Sequence, residues 1–88
     1  MSAASIEAIR AKLEHAFAPT ALEVLDEGYL HIGHPGEGTG HFRVRIASAA
    51  FAGKSRVQQH RMVYDALGDL IGRGIHALAI EARSADGQ

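Results

Sequence analysis

The stretch His41-Phe42-Arg43-Val44-Arg45-Ile46-Ala47-Ser48 decides how this chain is built. Phe42, Val44 and Ile46 alternate with His41, Arg43 and Arg45, and a strand turns successive side chains to opposite faces. The alternation predicts a β-strand with an apolar face on a core and a polar, basic face turned away from it.

Downstream of this strand, residues 49–54, AAFAGK, read as a turn, with Phe51 folded back as a hydrophobic plug. Ser55-Arg56-Val57-Gln58 fits a capping box, so a helix should start there. Its expected inner face runs through Val57, His60, Val63 or Tyr64, Leu67, and Leu70 or Ile71, with Gly72 and Gly74 at its C-terminal end. IHALAIEA, residues 75–82, is a short β-like run, and residues 84–88 read as a disordered tail.

Upstream, residues 28–40, GYLHIGHPGEGTG, hold five glycines and one proline and read as a loop or hairpin connection. Leu22 and Val24 alternate with Glu23 in a half-buried first strand. Ser5 can cap a helix carrying Ile6, Ile9, Leu13, Ala16 and Phe17, which Pro19 stops. The order is α-β-β-α-β in one α+β domain, residues 1–83. Two helices cover one face of a three-stranded sheet, and the other face stays exposed or meets a partner.

The 88 residues contain no cysteine, which removes disulfides, thiol nucleophiles and thiolate ligands from this chain's own chemistry. No nucleophile elbow, catalytic carboxylate pair or phosphate-cradling glycine motif is present, and so small a domain lacks depth for a water-excluded pocket. The expectation is a non-enzyme. No apolar stretch approaches the ~20 residues of a membrane span, and charges begin too early for a secretory segment, which points to a cytoplasmic protein.

Charge is unevenly placed around a net of -1: residues 1–40 hold six acids and two bases, residues 41–74 six bases and two acids. The basic group, Arg43, Arg45, Lys54, Arg56, Arg61 and Arg73, can be a solvated surface or a nucleic-acid face. Six histidines are many for this length, and any metal chemistry must run through them. His15 falls on the exposed flank of the first helix. His60 falls within the apolar stripe of the second and reads as a structural histidine. His31, His34 and His41 gather around the glycine-rich segment. His76, at the start of the last strand, shares parity with Leu78 and Ile80 and could equally be packed. A neutral imidazole is a good ligand for zinc or iron, but His31-x-x-His34 is no metal signature by itself.

From Gly40 to Ala79 the chain resembles the BolA family. The resemblance rests on His41-Phe42-Arg43-Val44, Phe51-x-Gly53-Lys54, Gln59-His60-Arg61-Met62-Val63-Tyr64-x-Ala66-Leu67 and Ile75-His76-Ala77-Leu78-Ala79. It implies a KH-like fold (class II) without the GxxG loop that grips nucleic acid. It also implies a heterodimer with a monothiol glutaredoxin that shares a [2Fe–2S] cluster. In that arrangement glutaredoxin and glutathione supply sulfur, and this chain supplies His76 and one of His31 or His34. His31 is slightly favoured by its distance from the His41-Phe42 block, and His41 ranks third. Imidazole ligation in place of thiolate raises the reduction potential and makes binding sensitive to protonation. Family members commonly continue past the last strand with a Thr-Pro-x-x-Trp-like segment. Here Ala82-Arg83-Ser84-Ala85-Asp86 stands in its place, which puts that segment's contacts in doubt. The competing function is a DNA-binding regulator of morphology or stress genes acting through Arg43, Arg45, Lys54, Arg56 and Arg61.

Overall fold

The computed structural model describes residues 5–27 and 40–85. Helix α1 (Ile6–Phe17) begins at Ser5, whose hydroxyl accepts from the Ala8 amide. It ends at Ala18, which takes a left-handed φ of 44° and donates its amide to the Glu14 carbonyl before Pro19. Strands β1 (Ala21–Asp26) and β2 (His41–Ala47) pair antiparallel, with Val24 opposite Val44 and Glu23 opposite Arg45. A 3₁₀ turn at Ala49–Phe51 leads to helix α2 (Arg56–Leu67), opened by the expected capping box between Ser55 and Gln58. Strand β3 (Ala77–Arg83) then pairs parallel to β2, giving the sheet order β1-β2-β3. A parallel pair needs a long crossover, and α2 supplies it. The predicted α-β-β-α-β architecture is therefore the one observed.

Both helices lie against the face of β2 that carries Phe42, Val44 and Ile46. These side chains join Ile9, Leu13, Val24, Phe51, Val63, Leu67, Leu70 and Ile75 in one buried cluster. Phe51 is fully buried and packs on Phe17 with ring centroids 4.9 Å apart, so it is the plug the sequence suggested. Beside it, the buried Ser48 hydroxyl donates to the Phe17 carbonyl at 2.7 Å and accepts from the Ala50 amide. The Ser48 amide donates to the Arg83 carbonyl. One small polar residue thus joins the end of α1, the end of β2 and the end of β3.

Three expectations change. The α-helix ends at Leu67, with Gly68 at φ 45° as its cap, and a 3₁₀ turn follows, so Gly72 and Gly74 serve the next turn instead. Of the expected inner stripe of α2, His60 is half-buried and Val63 and Leu67 are buried, but Val57 is not part of it. At about 100° per residue, Val57 and Tyr64 fall about 120° and 100° round from Val63, and they are 66% and 41% exposed. Ile71 is 37% exposed and Leu70 takes the buried place. Finally, Ser84 is buried, so packing continues into the segment read as a tail.

Lys12 of α1 bridges Asp69 of the 3₁₀ turn at 3.3 Å. That hydrogen bond, reinforced by the charge of Lys12, holds the Asp69 carboxyl below its ordinary range. The folded form binds this proton less tightly than the unfolded chain, so the contribution is present above the ordinary carboxylate range. It is lost as pH falls through the lowered value. Replacing Lys12 by Met should lower stability slightly at neutral pH, leave the most acidic end of the stability-versus-pH curve unchanged, and so flatten the acid limb between them. In urea unfolding, Phe51→Ala should cost about 3–5 kcal/mol. Ser48→Ala should cost about 1–3 kcal/mol by leaving the Phe17 carbonyl unpaired.

Candidate metal-ligand site at the root of the glycine-rich segment

The two described residues that flank positions 28–39 are both tied to the N-terminal end of β2. The Glu27 amide donates to the His41 carbonyl at 2.7 Å. On the other side, the Gly40 carbonyl accepts from the amides of His76 and Ala77 at 2.8 and 3.0 Å. The segment thus starts and finishes at the spot where β2 begins and β3 is about to begin.

Gly40 is required there on two counts. Its φ of 78° is a backbone conformation that side chains disfavour. A Cβ built on it would collide with the His76 imidazole and stand 2.6 Å from the Gly74 carbonyl oxygen. The His76 ring therefore rests against a bare stretch of main chain.

His76 is held from its other side by the turn that precedes it. The Ile75 amide donates to Leu70 and the Ile75 carbonyl accepts from Gly72, while the Ile75 side chain is 3% exposed in the core. His76 itself is exposed. The alternative that it packs with Leu78 and Ile80 is thus not what the fold does, because it precedes β3 and stands in a bend. A side chain on a fixed backbone, facing solvent, can bind a metal without prior rearrangement.

His41 is half-buried at the first position of β2, with Ala77 as its neighbour on β3. With Glu27, Phe42, Ala77, Leu78 and Ala79 it lines a groove of about 210 Å³. The other two candidates, His31 and His34, lie outside the described residues. In sequence His31 stands four residues past Glu27 and His34 six before Gly40. Among the described residues no three His, Asp or Glu side chains converge as a metal site.

The remaining histidines separate as expected in position. His15 is exposed on α1. His60 is half-buried and lines a groove of about 310 Å³ with Arg56, Ile80, Glu81 and Ala82, between α2 and β3.

The basic candidates divide in two. Arg43 and Arg45 stand on the outer face of the sheet, but each is engaged by carboxylates. Arg43 bonds Glu27 at 2.8 Å and Glu81 at 2.7 Å, while Arg45 bonds Glu23 at 3.1 Å and reaches Glu81 at 3.3 Å. The hydrogen bond that Arg43 donates to Glu27, then the one it donates to Glu81, raises its guanidinium further above the ordinary value. Composition counted these arginines as free positive charge. The register sets Arg45 opposite both Glu23 and Glu81, with Arg43 two residues along on the same face, a signal available only once strand pairing is known. Lys54, Arg56 and Arg61, at and near the start of α2, are exposed.

This arrangement has close counterparts. The family model described as BolA-like protein matches residues 13–86. Human BolA-like protein 1 is 48% identical over 77 residues, which are 88% of this chain and 56% of that protein, so the chain spans little more than half its length. The DNA-binding transcriptional regulator BolA of Escherichia coli strain K12 is 40% identical over 74 residues, 84% of this chain and 70% of that one. The solved BolA domain of SufE1 from Arabidopsis thaliana superposes with a TM-score of 0.82 at 48% identity, covering 92% of each chain. With the family's motifs placed on the family's fold, this chain belongs to the BolA family.

Proposed function

We propose that this chain is a non-enzymatic adaptor of the cytoplasm that completes the ligand set of a [2Fe–2S] cluster shared with a monothiol glutaredoxin. The observation that carries this reading is His76: exposed, locked through its own amide to Gly40, and set at the root of the segment bearing His31 and His34. The donor chemistry fits such a group, because imidazoles suit iron and a cysteine-free chain must borrow its sulfur from a partner. His76 is the first ligand in this reading and one of His31 or His34 the second, with His41 in reserve. When bound, the cluster supplies a redox-active centre whose potential imidazole ligation raises.

Gly40 is a positioning residue for His76. Its carbonyl fixes the His76 main chain and its missing side chain leaves room for the ring. Glu27 and His41, joined by their main chains, hold the other end of the segment. The fold thus keeps His76 in place and anchors both flanks of the segment whose sequence carries the second donor in this reading.

A second reading, binding to DNA, is supported by exposed Lys54, Arg56 and Arg61 and by the name of the Escherichia coli relative. The ion pairs of Arg43 and Arg45 with three carboxylates weigh against those two arginines as phosphate contacts.

Reconstitution with a monothiol glutaredoxin, glutathione, iron and sulfide should give a heterodimer whose absorbance and circular dichroism differ from those of the glutaredoxin homodimer. His76→Ala should abolish the heterodimer spectrum, and replacing His31 and His34 in turn should identify the second ligand. Gly40→Ala should weaken cluster sharing by about tenfold or more, because a misplaced ligand typically costs that much in metal affinity. An unchanged spectrum with His76→Ala would overturn the assignment. For DNA, three phosphate contacts predict a log–log salt slope near -2.7, at about -0.9 per contact. Binding weaker than about 10⁻⁴ M at physiological salt would exclude that reading, since even non-specific binders do better.

A further inference from the structure

Strand β3 is an outer strand of the sheet, and its unpaired side can be read from its hydrogen bonds. Ala77 donates its amide to Gly40 and Arg83 accepts at its carbonyl from Ser48, both on the β2 side. Main-chain groups alternate sides along a strand, so residues 77, 79, 81 and 83 face β2. Leu78, Ile80 and Ala82 therefore turn their N–H and C=O groups outward, and among the described residues no strand lies beyond them. Their side chains are only half-buried against the core. The opposite margin is treated differently: at β1, the Arg10 guanidinium covers the Leu22 carbonyl at 3.2 Å. Uncovered edges are templates for pairing with another chain.

We infer that the open edge of β3 pairs antiparallel, across a two-fold axis, with β3 of a second copy of this chain. The charge pattern selects the register. An axis through Glu81 would oppose two carboxylates, and like charges directly opposite are destabilising. An axis through Ala82 sets Glu81 of each copy opposite Arg83 of the other. Both side chains are exposed. On this side of the sheet Glu81 already anchors Arg43 and Arg45, so a second copy's Arg83 would extend an existing ion-pair network. Ala82 itself is small, which lets the two main chains approach. The shared contact is short, and Arg56 and His60 flank it from α2, so the association is weak and salt-sensitive.

Sedimentation velocity on the full chain, taken to about 1 mM, tests this at a range where a weak pair is populated. The expected result is a monomer that shifts to a dimer as concentration rises, with the shift reduced by added salt. Ala82→Pro should abolish it while the circular dichroism stays native, because the only amide removed points away from the sheet. Arg83→Glu should weaken association by about tenfold through opposed carboxylates, and it serves as the deciding variant if the proline substitution disturbs folding. A monomer throughout, or a dimer indifferent to Arg83→Glu, would overturn the proposal. So would a monomer whose Ile80 and Ala82 amides gain protection only against a different protein, since that assigns the edge to another partner.

Discussion

The alternation along β2 is the constraint on which the rest of the molecule depends. Phe42, Val44 and Ile46 commit one face to the helices, and every other element is arranged to complete that burial. A one-residue slip would put Arg43 and Arg45 into the core, so the register is strongly specified. As the central strand, β2 also sets the two pairings: antiparallel to β1, and parallel to β3 with α2 as the crossover. The site follows from the same strand, because the N-terminal end of β2 is where Glu27, Gly40, His41 and His76 meet.

The outer face of the sheet shows how the same alternation limits function. Its arginines are not a free basic surface but the cations of a network with Glu23, Glu27 and Glu81. Exposed ion pairs of this kind contribute little to stability individually. Their larger consequence is for recognition, since they lower the field that two arginines would otherwise offer to phosphate. The basic character that remains lies at the start of α2, on the opposite layer, beside the groove that His60 lines.

His76 gains its character from its surroundings rather than its type. Ile75 buries, the Gly40 carbonyl takes two amides, and the absent Gly40 side chain leaves room for the ring. The result is an exposed imidazole on a stiff support, without a full set of donors beside it among the described residues. The proposed reliance on a partner's sulfur rests on that exposed, incomplete setting.

Local pattern was enough for the element order, the strand at 41–47, the capping box at Ser55, the Phe51 plug and the family motifs. Each is a matter of spacing within a few residues, where side-chain direction is dictated by backbone geometry. Val57 was misread as part of the buried stripe of α2, and the choice of Val63 over Tyr64 stayed open, because only packing decides which side of an apolar arc faces the sheet. The end of α2 was misread because Gly72 and Gly74 also suit a helix end, whereas Gly68 takes that place and Leu70, two residues on, is buried. Sequence narrowed the candidate ligands to His76 and the histidines of the glycine-rich segment. The exposure of His76, its lock on Gly40, the pairing of Arg43 and Arg45, and the place of β3 at the margin of the described sheet belong to tertiary structure alone. They arise between residues tens of positions apart, and no local pattern records a contact that strand register creates.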